Sequence, residues 1–173
     1  MSDPHEVGEA DWQVQDSGAH IVHASALLVG PTAVVVRGAS GAGKSTLVLD
    51  LIATLTAEGR FAMLIGDDRV AVEAVNGRLV VRAPPRIAGL IERRGHGIER
   101  VTFEPAGVVD LIVDLVVGEP ARSPATAALM TELCGITVRR IEIAGYGEPR
   151  TRAVLAAIDQ ETMDGDTMPE QPT

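Results

Sequence analysis

The octapeptide Gly38-Ala39-Ser40-Gly41-Ala42-Gly43-Lys44-Ser45 constrains this chain more than any other stretch. It has the form G-x-x-x-x-G-K-[ST], a P-loop. Backbone N–H groups that wrap a polyphosphate need an approach free of side chains. Glycines provide it and also permit positive φ. A helix that follows such a loop points its positive end at the same anion. In this pattern Lys44 is a compact cation for the β- and γ-phosphates, and the Ser45 hydroxyl is placed to ligate Mg²⁺. The expected nucleotide site is Gly38, Ala39, Ser40, Gly41, Ala42, Gly43, Lys44, Ser45 and Thr46. Both flanks agree with this. Residues 32–37 are a β-branched apolar run that reads as a buried strand, and residues 46–55 read as a helix with a broad apolar face. Lys44 is also the sole lysine in a chain whose other strong bases are all arginines. A lysine kept only here marks a position that needs a small point charge on a flexible stem.

Composition excludes several classes. The 173 residues predict one domain with a substantial core, and a formal charge of −9 speaks against nucleic acid as a partner. Aromatic residues are only 2%, so the core must be built from Val, Ile, Leu and Ala. The single cysteine, Cys134, cannot form an internal disulfide and reads as a buried, inert thiol in a reducing compartment. No targeting segment or membrane-length apolar run is visible, so a cytoplasmic protein without a membrane partner is expected.

Taken in order, residues 1–12 are polar and expected to be flexible. Residues 21–30 read as one strand that contains His23 and ends at Gly30-Pro31. From position alone His23 is a sheet histidine. Residues 61–65 form a short buried strand that runs into Gly66-Asp67-Asp68-Arg69. Acids at the carboxyl end of a strand beside a P-loop strand stand where open α/β sheets bind ligands. There they can hold Mg²⁺ through water or accept a proton from an attacking hydroxyl. Asn76-Gly77 between two β-rich runs predicts a hairpin over residues 70–82. Residues 86–98 combine Glu92, Arg93, Arg94, Gly95 and Gly97 in what reads as a tight loop. Glu92 could ligate Mg²⁺ and Arg94 could neutralise transferring phosphate, and the same residues read equally as a charged surface turn. Residues 108–117 are a strand, 118–124 a loop containing Arg122, 125–133 a helix of good formers, 136–143 a half-exposed strand, and 151–158 the start of a last helix. Residues 159–173 are acidic and proline-containing and read as a disordered tail.

Four blocks in order resemble the C-terminal catalytic domain of HPr kinase/phosphorylase: His23-Ala24 fifteen residues before Gly38, the P-loop, the acid doublet Gly66-Asp67-Asp68-Arg69-Val70, and Ile91-Glu92-Arg93-Arg94-Gly95-His96-Gly97. The last two are far more specific than a P-loop alone. The resemblance covers about residues 13–158 and is to the short proteobacterial form. It implies an α/β P-loop nucleotide-binding domain with a mixed sheet and an inserted β-hairpin. It also implies an ATP- and Mg²⁺-dependent kinase for a serine of the phosphocarrier HPr, able to remove that phosphate by phosphorolysis, and assembled as a homo-hexamer. Carried over by position, His23, Lys44, Asp67, Asp68 and Arg122 are catalytic, and Ser45 and Glu92 are Mg²⁺ ligands. Gly147-Glu148-Pro149-Arg150 is a loose match to a late Pro-Gly-Arg-Asn-like loop of the family. The competing readings are a small-molecule P-loop kinase and a non-catalytic nucleotide-sensing module. The residues leave open which aspartate of the doublet is the base.

Overall fold

The long strand at residues 106–115 lies at the centre of the sheet. The computed structural model describes residues 13–14, 19–117 and 129–164. In chain order these form β1 (Gln13–Val14), β2 (His20–Val22), β3 (Ala24–Val29), β4 (Thr32–Gly38), α1 (Lys44–Ala57), β5 (Ala62–Gly66), β6 (Val70–Val75), β7 (Arg78–Arg82), β8 (Leu90–Arg93), β9 (Gly97–Arg100), β10 (Ala106–Leu115), β11 (Met130–Leu133), β12 (Ile136–Ile143) and α2 (Glu148–Asp164). The strand β10 runs parallel to β4 along one edge. On its other edge it meets antiparallel β7 first and then parallel β12. The P-loop strand is flanked on its far side by antiparallel β3, and β3 by antiparallel β5. The sheet is therefore mixed, as expected. Ten strands join it, and β8 and β9 form a separate two-stranded ribbon.

Alternation along the strands builds two cores. Val34 and Val36 of β4, Leu111 and Val113 of β10, and Leu27 of β3 face α1 and α2, where Leu47, Leu51, Leu55, Val154 and Ile158 meet them. Ala33, Val35, Ile112 and Ala26 face the opposite side, with Val70, Val72, Leu79 and Val81 of β6 and β7. Strand β6 comes near β3, and β7 near β5, although several strands separate them in sheet order, so the sheet curls around this second core. Almost all of these buried residues are Val, Ile, Leu and Ala, as an aromatic-poor composition requires.

The elements differ from the sequence expectations in four places. Residues 21–30 are two strands, not one. A bend at His23 sends β2 to pair with β6 and β3 with β4 and β5, so His23 stands at a break rather than within a sheet. The stretch 86–98 is not a tight loop but includes most of the β8–β9 hairpin, with the turn at Arg94-Gly95-His96. Residues 130–133, expected to be helical, are strand β11, paired with β12 across Cys134-Gly135. Both turn residues have positive φ (52° and 74°), the pattern of a type I′ hairpin, and cross-strand pairing overrides the helix propensity of a short segment. The last helix runs on to Asp164, beyond the expected boundary at Asp159. The rest of the expected helix at 125–128 lies outside the described residues, as do Arg122, most of the N-terminal stretch and residues 165–173.

Candidate active site

The P-loop leaves β4 at its carboxyl end and enters α1 on Gly43, at φ 88° and ψ 30°. No side chain caps the first turn of α1 and no acid lies in it. Its first-turn N–H groups therefore suit an external anion. The Lys44 ammonium folds back over the loop and donates to the carbonyls of Gly38 (2.9 Å) and Ala39 (3.1 Å). Burial pushes its pKa below the ordinary lysine value, and the nearby charges of Asp68 and Asp67 pull part of that back. The two carboxylates of the doublet thus lie within electrostatic reach of the P-loop lysine.

The doublet divides sharply. Asp67 is buried and collects three donors. Its Oδ1 accepts from the hydroxyls of Ser25 (2.6 Å) and Ser45 (2.7 Å), and its Oδ2 accepts from the backbone N–H of Glu92 (3.2 Å). One carboxylate thereby ties β3, α1 and β8 to the end of β5. Asp68 is its opposite, 67% exposed at the side chain, and it accepts from Nε2 of His23 at 2.9 Å. The N–H of Arg69 reaches back to the carbonyl of Asp67 at 2.7 Å, closing a three-residue turn with Asp68 at φ 62°. A non-glycine residue in that region is strained, and such strain concentrates where a side chain must be aimed.

The hairpin brings one group to Asp67 and one to the P-loop. Glu92 joins through its main chain, and its side chain is exposed. Arg94, at the hairpin turn, extends so that a Cβ added to Gly41 would stand 3.3 Å from its Nη2. Gly41, at φ 78°, is thus where the arginine tip comes against the loop. Ser25 was invisible to sequence reasoning, because a serine among the small buried residues of a strand carries no signal of its partner. Arg150 was visible only as a loose match, yet its guanidinium lies against the back of the P-loop, donating to the carbonyls of Ala42 (2.9 Å) and Gly43 (3.0 Å). Arg122 falls outside the described residues.

Beneath the crevice, Asp114 near the end of β10 takes both Nε and Nη2 of Arg37 on β4 (2.7 Å each) and Nε of Arg140 on β12 (2.5 Å). Burial opposes its ionisation. The hydrogen bonds and charge of Arg37 and Arg140 override that and hold its carboxyl below the usual carboxylate range. The three parallel strands are locked together where the site opens.

No cluster of three or more His, Cys, Asp or Glu side chains arranged for a metal ion occurs among the described residues. The Ser45 hydroxyl against the Asp67 carboxylate is a hard-oxygen donor set that suits Mg²⁺, while Glu92 meets Asp67 through its backbone N–H and its side chain is exposed. That ion is held by one or two protein oxygens with phosphates and waters completing its shell.

A family model described as HPr Serine kinase C-terminal domain matches residues 16–144. The HPr kinase/phosphorylase of Mycoplasma mycoides subsp. mycoides is 38% identical over 101 residues, covering 54% of this chain and 30% of that protein. That of Clostridium beijerinckii is 38% identical over 69 residues, covering 40% and 21%. The chain thus spans less than a third of the length of either relative. The solved structure of the Hpr(Ser) kinase/phosphatase from Coxiella burnetii matches with a TM-score of 0.66 at 25% identity, covering 83% of this chain and 98% of that one.

Proposed function

The chain belongs to the HPr serine kinase C-terminal domain family, and on that premise we propose that it is an ATP-dependent kinase for a serine of an HPr-type phosphocarrier, with phosphorolysis as its reverse activity. The observation that carries the proposal is the Asp68–His23 pair: an exposed carboxylate on a strained turn, within electrostatic reach of the P-loop lysine. Nucleotide binding alone needs no such group.

The roles follow from position. Amides of the P-loop and the first turn of α1 bind the polyphosphate, and Lys44 leaves its loop carbonyls to reach the β- and γ-phosphates. Asp68, open to solvent and to a docked protein, takes the proton of the substrate serine, while His23 orients that carboxylate. Asp67, buried and already accepting from three donors, positions Ser25, Ser45 and the Glu92 backbone. Ser45 and Glu92 would hold a Mg²⁺ ion, which would supply charge neutralisation at the phosphates. Arg94 approaches the loop from the hairpin to offset charge on the transferring group, and Arg122 is assigned a second such role. A cytoplasmic homo-hexamer belongs to the same reading.

The test is incubation of the chain with labelled ATP, Mg²⁺ and an HPr-type phosphocarrier. The expected result is label on a serine, released as pyrophosphate when inorganic phosphate replaces ATP. Tight ATP binding with no label on the phosphocarrier would instead point to a nucleotide-sensing module.

A further inference from the structure

Arg150 belongs to the first turn of α2, more than a hundred residues from the P-loop in sequence, and is only 4% exposed. Its Nη1 donates to the carbonyls of Ala42 (2.9 Å) and Gly145 (3.3 Å), and its Nη2 to that of Gly43 (3.0 Å). The ring of Tyr146 lies 5.3 Å from the guanidinium carbon. All of these partners are uncharged. The buried Nε has no hydrogen-bond partner, and no carboxylate pairs with the guanidinium among the described residues. A buried guanidinium is ordinarily paired, because an uncompensated charge in a low-dielectric interior is costly. Desolvation accordingly lowers its pKa, and the charges of Tyr146 and Asp50 offset this only in part.

The location of this charge supplies the missing element. The guanidinium presses on the two residues that turn the P-loop into α1. Position 43 needs glycine for its φ of 88°, and a Cβ there would stand 2.8 Å from Nη2 and push the Arg150 tip off the loop. The carbonyls of Ala42 and Gly43 point back at the arginine. A peptide whose carbonyl faces a cation presents its amide edge, polarised, in the other direction.

We propose that Arg150 is a positioning residue of the phosphate site: it holds the Ala42-Gly43 turn from behind and supplies a fixed positive charge whose counter-ion is the polyphosphate bound on the loop's other side. The inference rests on the nucleotide-binding reading of the P-loop and adds that part of the affinity comes from a residue that never touches the ligand. The same contact couples α2 to the nucleotide, because its first turn carries the charge.

Charge and scaffolding are separated by two substitutions, Arg150→Gln and Arg150→Lys, each assayed for ATP and pyrophosphate binding by calorimetry and for thermal melting without ligand. A charge role predicts that Arg150→Gln binds both ligands at least about tenfold more weakly, while Arg150→Lys stays within about threefold of the parent chain. It also predicts that the two variants melt alike without ligand. Equal affinities in the two variants, whether both normal or both weakened, overturn the proposal. If Arg150→Gln does not fold, Arg150→Lys decides alone: a tenfold loss of ATP affinity with the charge retained is contrary to it. A parent chain that binds neither ATP nor pyrophosphate is a different failure, that of the nucleotide reading itself.

Discussion

Asp67 and Asp68 are neighbours in sequence with opposite physics. The buried carboxylate of Asp67 accepts from Ser25, Ser45 and the Glu92 backbone, whereas Asp68 meets His23 and faces solvent. Replacing Asp67 by Asn turns one acceptor oxygen into a donor and sets an N–H against another donor in a buried site. An unsatisfied buried donor costs about 1–3 kcal/mol, which for a chain of this size lowers the melting temperature by several degrees. Asp68→Asn has no such cost, because the site is exposed and Asn accepts positive φ readily. Thermal melting of the two variants is therefore expected to show a clear loss for Asp67→Asn and almost none for Asp68→Asn. Equal losses would contradict the division of labour. The doublet was legible in the sequence as a pair of acids at a strand end. Which member is buried was not, because that depends on Ser25 and Glu92, brought in from β3 and β8.

At the scale of elements, what sequence pattern could read was local. The strand–P-loop–helix unit and the Asn76-Gly77 hairpin follow from residue types that their own backbone geometry demands, and both stand where expected. Misreadings arose where a distant partner decides the outcome. Residues 130–133 have helix-forming neighbours, but β12 pairs with them. His23 lies in an apolar run, but β2 and β3 part there to join different neighbours. The Arg37–Asp114–Arg140 lock is of the same kind, since three residues from three strands meet only in the sheet. Its consequence for stability has a definite sign. Asp114 has a folded-state pKa below its unfolded value. Its contribution is therefore fully present above that unfolded value, near pH 4, and is lost as pH falls through the folded value. Asp114→Asn takes the carboxylate from Arg37 while Arg140 keeps Glu142, and is expected to cost about 1–3 kcal/mol at neutral pH. In denaturant titrations across pH, the gap between parent and variant should hold constant from pH 7 to 5 and shrink below about pH 4. A gap that stays constant into strong acid would show that Asp114 acts other than as a carboxylate.

Over the whole molecule, the two cores serve one end of the sheet. The core under α1 and α2 holds the P-loop strand against the helix that follows the loop, and the curled side brings β6 and β2 round to where His23 and Asp68 meet. The β8–β9 ribbon, anchored by the buried Ile91, hangs Glu92 and Arg94 over the same opening. Residues from β2–β3, the P-loop, the β5–β6 turn and the ribbon thus converge on one end of the sheet, with Arg150 of α2 behind the P-loop. The family resemblance made most of them legible, but their different burial and partners are visible only in the fold. The central claim is that this crevice moves a phosphoryl group to a protein serine, with Asp68 taking the proton. The most direct measurement is the rate at which the parent chain and Asp68→Asn transfer label from ATP to an HPr-type phosphocarrier, with ATP affinity measured on the same samples. The expected result is serine labelling by the parent chain and a loss of about 10²–10⁴-fold in the variant at unchanged ATP affinity. Equal rates for the two proteins, or no labelling by a parent chain that binds ATP, would contradict it.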